Sequence, residues 1–221
     1  MRGVARAAKR KYSRFAGQLQ PLAKVRATWF EKEGRELASV SSIELLRAAD
    51  PLYQDLEGIL YGSYLAGTML EFAQEHEDSD HMYRLLDSTV EALVAGVDRA
   101  LAARFFEAWV LRLAGVFPAP GECPSCGDEL AVKGAAVPAS GEALTCRDCA
   151  GAGALALSAE ALDFLSRIGT SRLTRLAERP PSPAALAECE EASGRVRRSF
   201  LQHELKSYRV LRDTLRGLAS A

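Results

Sequence analysis

The residues best suited to chemistry in this chain are four cysteines. Cys123-Pro-Ser-Cys126 and Cys146-Arg-Asp-Cys149 form two Cys-x2-Cys pairs separated by nineteen residues. A two-residue spacer turns the backbone tightly enough to aim both thiolates at one point. Two such knuckles complete a tetrahedron, and their separation falls within the zinc-ribbon range. Four thiolates fill the coordination shell and leave no position for water or substrate. A Zn2+ ion at Cys123, Cys126, Cys146 and Cys149 is therefore expected to be structural rather than catalytic. Cys189 lies outside the pattern and reads as a small core residue. The amino terminus lacks the apolar stretch and cleavage site of a secretory leader, so the cysteines are read as thiols rather than disulfides.

The second constellation is electrostatic. The formal net charge of the 221-residue chain is only -1, but the charges are segregated. Residues 1–26 hold eight bases and no acid, residues 44–112 hold thirteen acids against five bases, and residues 195–216 hold seven bases against two acids. Arg2, Arg6, Lys9, Arg10, Lys11, Arg14, Lys24 and Arg26 make up the amino-terminal set, with Tyr12 and Phe15 interleaved. Such a set attracts phosphates while the aromatics stack on unpaired bases, so these eight residues are the candidate DNA-binding face. His76, Asp78, Asp80 and His81 have ligand chemistry but fall in or beside an acidic stretch and read as a solvated loop. No Gly-rich phosphate loop, nucleophile elbow or helical His-Glu-x-x-His is present, which disfavours an enzyme.

The elements that position these residues follow from periodicity. Hydrophobic content of 48% supports a sizeable core, and no apolar run is long enough to span a membrane. Residues 1–46 read as strands: one near Arg2–Ala8, a second over Pro21–Phe30 with Val25, Ala27 and Trp29 on one side, and a return strand over Arg35–Val40 after a turn at Glu33-Gly34. Asp50-Pro51 reads as a helix start, followed by helices stopped at Gly96 and Gly115. Ser158 and Ser182-Pro183 open two further helical regions, the last carrying Leu201, Leu205, Tyr208, Leu211 and Leu215 as one stripe beside Lys206, Arg209, Arg212 and Arg216. The class is mainly α with a partial β amino terminus.

Several segments, taken in order, resemble one family. Residues 3–22, which include Lys9-Arg10-Lys11-Tyr12-Ser13-Arg14-Phe15, resemble the basic strand–loop–strand of the amino-terminal OB domain of RecO proteins, and Arg35-Glu36-Leu37 resembles its next strand. The run from Arg104 to Gly115 is similar to the helix leading into that family's cysteine insertion, and the run from Phe200 to Leu211 to its closing helix. The resemblance implies an incomplete OB-fold over residues 1–46 and a helical domain over residues 47–221, with a zinc module at residues 121–150. It also implies a bacterial mediator of DNA recombination and repair after DNA damage, cytoplasmic and nucleoid-associated. Its partners would be single- and double-stranded DNA, RecR and single-strand-binding protein, and indirectly the RecA it helps to load. Chains of that family begin before the position matched by Met1, which implies a fragment or an internal start and an OB sheet left open. The alternative reading is a zinc-ribbon protein-interaction module that uses its acidic middle and does not contact DNA directly.

Overall fold

The computed structural model describes residues 3–6, 8, 10, 13, 15, 18–32, 34, 37–73, 80–117 and 120–219. Three strands form an open amino-terminal sheet: β1 (Gly3–Val4), β2 (Lys24–Phe30) and β3 (Ala38–Arg47), in the order β1-β3-β2. β1 runs parallel to β3 and β2 antiparallel to it. The return strand starts later and runs longer than its alternation suggested, because the pairing with β2 extends back to Lys24↔Arg47. The first strand is shorter than the expected Arg2–Ala8.

Eight α-helices follow among the described residues: α1 (Leu56–Phe72), α2 (Asp80–Val94), α3 (Arg99–Leu113), α4 (Leu130–Lys133), α5 (Ala159–Ile168), α6 (Leu173–Glu178), α7 (Pro183–Leu201) and α8 (Lys206–Ala219). A second sheet of three short strands, β4 (Ala135–Val137), β5 (Thr145–Cys146) and β6 (Leu155–Ala156), lies between α4 and α5 with order β5-β4-β6. The helix α3 is buried on almost every side, from Leu101 through Ala108 and again at Val110 and Leu111. A helix buried around almost its whole circumference has to be the centre of its bundle, and α1, α2, α5 and α7 pack around this one.

Side-chain caps account for four of these helix starts. Ser158 and Ser182 accept hydrogen bonds from the amides of Ala161 and Ala185, as their types suggested. Asp50-Pro51 instead opens a short 3-10 turn over Asp50–Tyr53, and Asp55 caps α1 by accepting from the Gly58 amide at 2.8 Å. The last helical region is two helices, since Gln202 adopts a left-handed conformation (φ 61) and breaks the chain between α7 and α8. α8 then lies across α1 at Gly67, where a Cβ would come within 2.4 Å of Ser207 Oγ, so only glycine allows the approach. Its inner face, Leu205, Tyr208 and Leu211, forms a small separate core with Leu60, Tyr61 and Tyr64.

The sheet docks on the helices through Asp87 of α2. Lys24 Nζ and Arg47 Nη2 lie 2.6 Å and 2.7 Å from its two carboxylate oxygens. Burial opposes ionisation of Asp87, but the two cations outweigh it and hold its carboxyl below the ordinary aspartate range. A carboxyl depressed in the folded state adds stability above its unfolded pKa of about 3.9 and loses it as pH falls through the folded value. Acidification below about pH 4 is thus expected to loosen β2 and β3 from α2. Hydrogen exchange of the strand amides, compared with those of α3, measures it, and Asp87→Asn should exchange as the loosened state does already at neutral pH.

Candidate metal centre and nucleic-acid face

The four expected cysteines converge. The Sγ atoms of Cys123, Cys126, Cys146 and Cys149 all lie within 4.8 Å of one another, and Cys126 Sγ stands 3.7 Å from Cys146 Sγ. A tetrahedron with Zn–S bonds of ~2.3 Å has edges of about 3.8 Å, so the donor set fits a tetrahedral ion. No other ligand cluster occurs among the described residues. His76 and Asp78 lie outside them, and His81 sits exposed in the first turn of α2.

Local geometry builds each knuckle. In the first, the Gly127 amide donates to the Cys123 carbonyl at 2.8 Å and Gly127 takes φ 79, a conformation that a side chain would strain. In the second, the Cys149 amide donates to the Cys146 carbonyl at 3.2 Å, and Cys146 itself belongs to β5, paired with β4. Lys133 at the end of α4 reaches both knuckles, with Nζ 3.8 Å from Asp128 and 3.6 Å from Asp148. The thiols do not share charge equally. Amide donors, first that of Cys146 and then those of Ser125 and Cys126, hold the Cys123 thiol down at about 6. The neighbouring thiols of Cys146 and Cys126 push Cys149 up to about 12. Four sulfurs this close ionise together only around a cation, which is the chemistry of a closed structural site.

The basic face is less concentrated than its count. Arg6 and Arg10 are exposed, and neither is paired with a carboxylate among the described residues. Lys24 is tied to Asp87, while Arg26 pairs with Glu44 across the β2–β3 hairpin at 2.7 Å. Arg2, Lys9, Lys11 and Arg14 lie outside the described residues, as does Tyr12. Phe15 is buried at 1% exposure and offers no face to a base. Two aromatics take its place. A register shift between Thr28 and Trp29 breaks the alternation of β2, so Trp29 and Phe30 both stand exposed where alternation would have placed Trp29 half-buried with Val25 and Ala27.

Sequence reasoning missed the largest polar feature, a buried network at the α1–α3–α7–α8 junction. Tyr64 Oη donates to Glu107 Oε1 at 2.5 Å, and Arg104 Nη2 donates to the same oxygen at 2.6 Å. Arg197 donates to Tyr64 Oη at 2.7 Å and to Glu204 Oε1 at 2.8 Å. Glu190 accepts from Arg104 and from Tyr208 Oη. Complete burial pushes the Tyr64 phenol well above its ordinary range, so it stays a donor. The network ties together helices distant in sequence.

The chain matches the family model described as Recombination protein O N terminal over residues 1–49 and that described as Recombination protein O C terminal over residues 53–209. It is 32% identical over 203 residues to the DNA repair protein RecO of Anaeromyxobacter sp. strain K, covering 91% of this chain and 78% of that relative. It is 30% identical over 184 residues to the DNA repair protein RecO of Geobacter sulfurreducens, covering 83% and 74% respectively. No helix among the described residues is long and apolar enough to cross a membrane. With two family models covering consecutive stretches and relatives aligned over most of both chains, the protein belongs to the RecO family of DNA repair proteins, non-enzymatic mediators rather than enzymes.

Proposed function

We propose that this chain is a recombination and repair mediator that binds single-stranded DNA, promotes annealing with a complementary strand and helps to load the recombinase RecA. The observation that carries this reading is the acid-free run of eight bases in residues 1–26, joined to a sheet that presents Trp29 and Phe30 to solvent. Phosphates would be held by Arg2, Arg6, Lys9, Arg10, Lys11 and Arg14, with Lys24 and Arg26 supporting from within their ion pairs, and unpaired bases would stack on the two aromatics. The amino-terminal sheet, residues 1–46, is then an open OB-type platform, and residues 47–221 form the helical domain that braces it. Double-stranded DNA, RecR and single-strand-binding protein are the further partners this role carries, and its setting is the bacterial cytoplasm at the nucleoid.

The ion is zinc: four thiolates in a tetrahedron suit it, and Cys123, Cys126, Cys146 and Cys149 would hold it purely as scaffold. A protein-interaction module using its acidic middle has less support, because several of those acids are engaged among the described residues. Asp55 and Glu57 hold Arg99, Asp80 holds Arg84, and Asp87 holds Lys24 and Arg47.

Salt titration of binding to a single-stranded oligonucleotide tests the reading. Setting aside the two paired bases leaves six phosphate contacts, and a slope of about -0.7 per contact gives log K falling about four units per decade of salt, or roughly 300-fold between ~50 and ~200 mM. Changing Lys9, Arg10, Lys11 and Arg14 to Glu should abolish most of this dependence. Binding indifferent to salt, or unaffected by those substitutions, would defeat the proposal.

A further inference from the structure

A second basic surface lies on the helical domain. α6 buries Leu173 and Leu176 and leaves Arg172 just before it, Arg175 within it and Arg179 just after it exposed. None of the three is paired with a carboxylate among the described residues. Arg167 donates to the Arg179 carbonyl at 3.2 Å and fixes the end of the row before Pro180-Pro181. Close by, Arg112 is half-buried and donates to the Leu165 carbonyl, and among the described residues its Nε and Nη1 have no hydrogen-bond partner and no carboxylate pairs with it. Its guanidinium carbon stands 5.7 Å from the centroid of the Trp109 ring. Trp109 in turn lines a groove of about 710 Å³ between α2, α3 and α6, floored by Leu85, Phe105 and Leu173, with Arg172 also in its lining.

We propose that this arginine row and the Trp109 groove form a second contact site for single-stranded DNA, with phosphates along Arg172, Arg175 and Arg179 and one unpaired base over Trp109. The inference rests on the DNA-binding reading above and extends it to a surface that the amino-terminal charge does not include. Trp109 is partly buried and shows the groove one part of its ring, and guanidiniums beside such an indole are a combination that holds a backbone and a base without sequence preference. The row also runs past the groove, since Arg175 and Arg179 do not line it. A ligand confined to the groove would leave those two idle, whereas an extended polyanion engages all three. Two such sites on one molecule would bring two strands, or two stretches of one strand, into proximity, as annealing requires.

The test is the triple variant Arg172→Gln, Arg175→Gln, Arg179→Gln in the full chain, measured with a single-stranded oligonucleotide across salt. Loss of three contacts should lower the slope by about two units per decade. In a Trp29→Phe background only Trp109 emits, and the oligonucleotide should quench it in the parent but not in the triple variant, with the melting temperature unchanged because the three side chains are exposed and form no ion pair among the described residues. If the parent itself does not bind at low salt, the amino-terminal reading fails and this one with it. If the parent binds but the triple variant keeps its slope and its quenching, only the second site is wrong. A variant that binds DNA normally yet no longer binds an acidic poly-glutamate peptide would assign the row to a protein partner and overturn the proposal.

Discussion

Removing the metal with a strong chelator is expected to disorder residues 121–150 first and to cost at least several kcal/mol of stability, while α1 to α3 remain folded. Structural zinc contributes on the order of 10–16 kcal/mol in small zinc peptides, against about 5–15 kcal/mol for the net stability of a typical domain. The module's own packing offsets part of the loss. Leu130, Ala135, Val137 and Leu144 are buried in the same core as Phe164, Leu165 and Ile168 of α5, so the apo module retains an apolar reason to stay collapsed. The same continuity makes α5 the first helix to feel the loss, since its partners in the module would separate from it. Metal content by mass spectrometry, melting with and without chelator, and limited proteolysis read the effect. Cuts should appear within 121–150 and then near α5. Cys126→Ser and Cys149→Ser should each reproduce it, because each leaves three ligands. Protein that purifies without metal and melts identically after either substitution would remove the ion from the account.

What was legible in the sequence was whatever is encoded locally. The cysteine knuckles are set by spacings of two residues, and the caps at Ser158 and Ser182 by the hydrogen bond each makes three residues on, so both could be read before any fold was known. The start of α1 was misplaced because Asp50 and Asp55 are equally good caps by type. The choice between them is tertiary: Asp55 accepts from the Gly58 amide and also holds Arg99 from 44 residues away, while the 3-10 turn before it packs against Gly58 so closely that a Cβ there would come within 2.3 Å of the Leu52 carbonyl. α6 was hidden by its brevity, six residues between Gly169 and the Pro180-Pro181 pair. Trp29 was read as half-buried because burial in a strand depends on register, and one bulge between Thr28 and Trp29 turned it outward; Phe15 lies in a turn, where no periodicity signals that it is buried. The basic stretch was legible as charge but not as available charge, since Asp87 and Glu44 claim Lys24 and Arg26 from 63 and 18 residues away.

The buried network was the least legible feature, and it supplies the second large expected effect. Tyr64 meets Glu107 across 43 residues and Arg197 across 133, so no window of sequence contains the pattern, and Arg104 and Glu107 look like an ordinary exposed pair on a helix. In the fold their side chains are 2% and 3% exposed. Glu107→Ala would leave the Arg104 guanidinium and the Tyr64 hydroxyl buried without the oxygen they converge on, and would remove the carboxylate behind the Tyr64 hydroxyl to which Arg197 donates. Breaking a buried pair by removing one partner costs about 3–5 kcal/mol, most of it for the charge left uncompensated. Glu107→Gln keeps the volume and one acceptor oxygen and should cost less, about 1–3 kcal/mol. Urea unfolding measures both, with an unchanged slope expected if the folded state stays compact. The location of the damage is specific as well. Glu204 and Arg197 anchor the approach to α8, and Tyr208 of α8 reaches Glu190, so losing Glu107 should free α8 from α1 before it disturbs the rest of the bundle. Hydrogen exchange along Lys206–Ala219 would then rise ahead of that in α3. A double-mutant cycle between Glu107 and Arg197 should return a coupling well above the ~0.5 kcal/mol at which distant sites add independently. Additivity would mean that the two side chains share a cavity but not an interaction, and the network would lose its place as the clasp on the last helix.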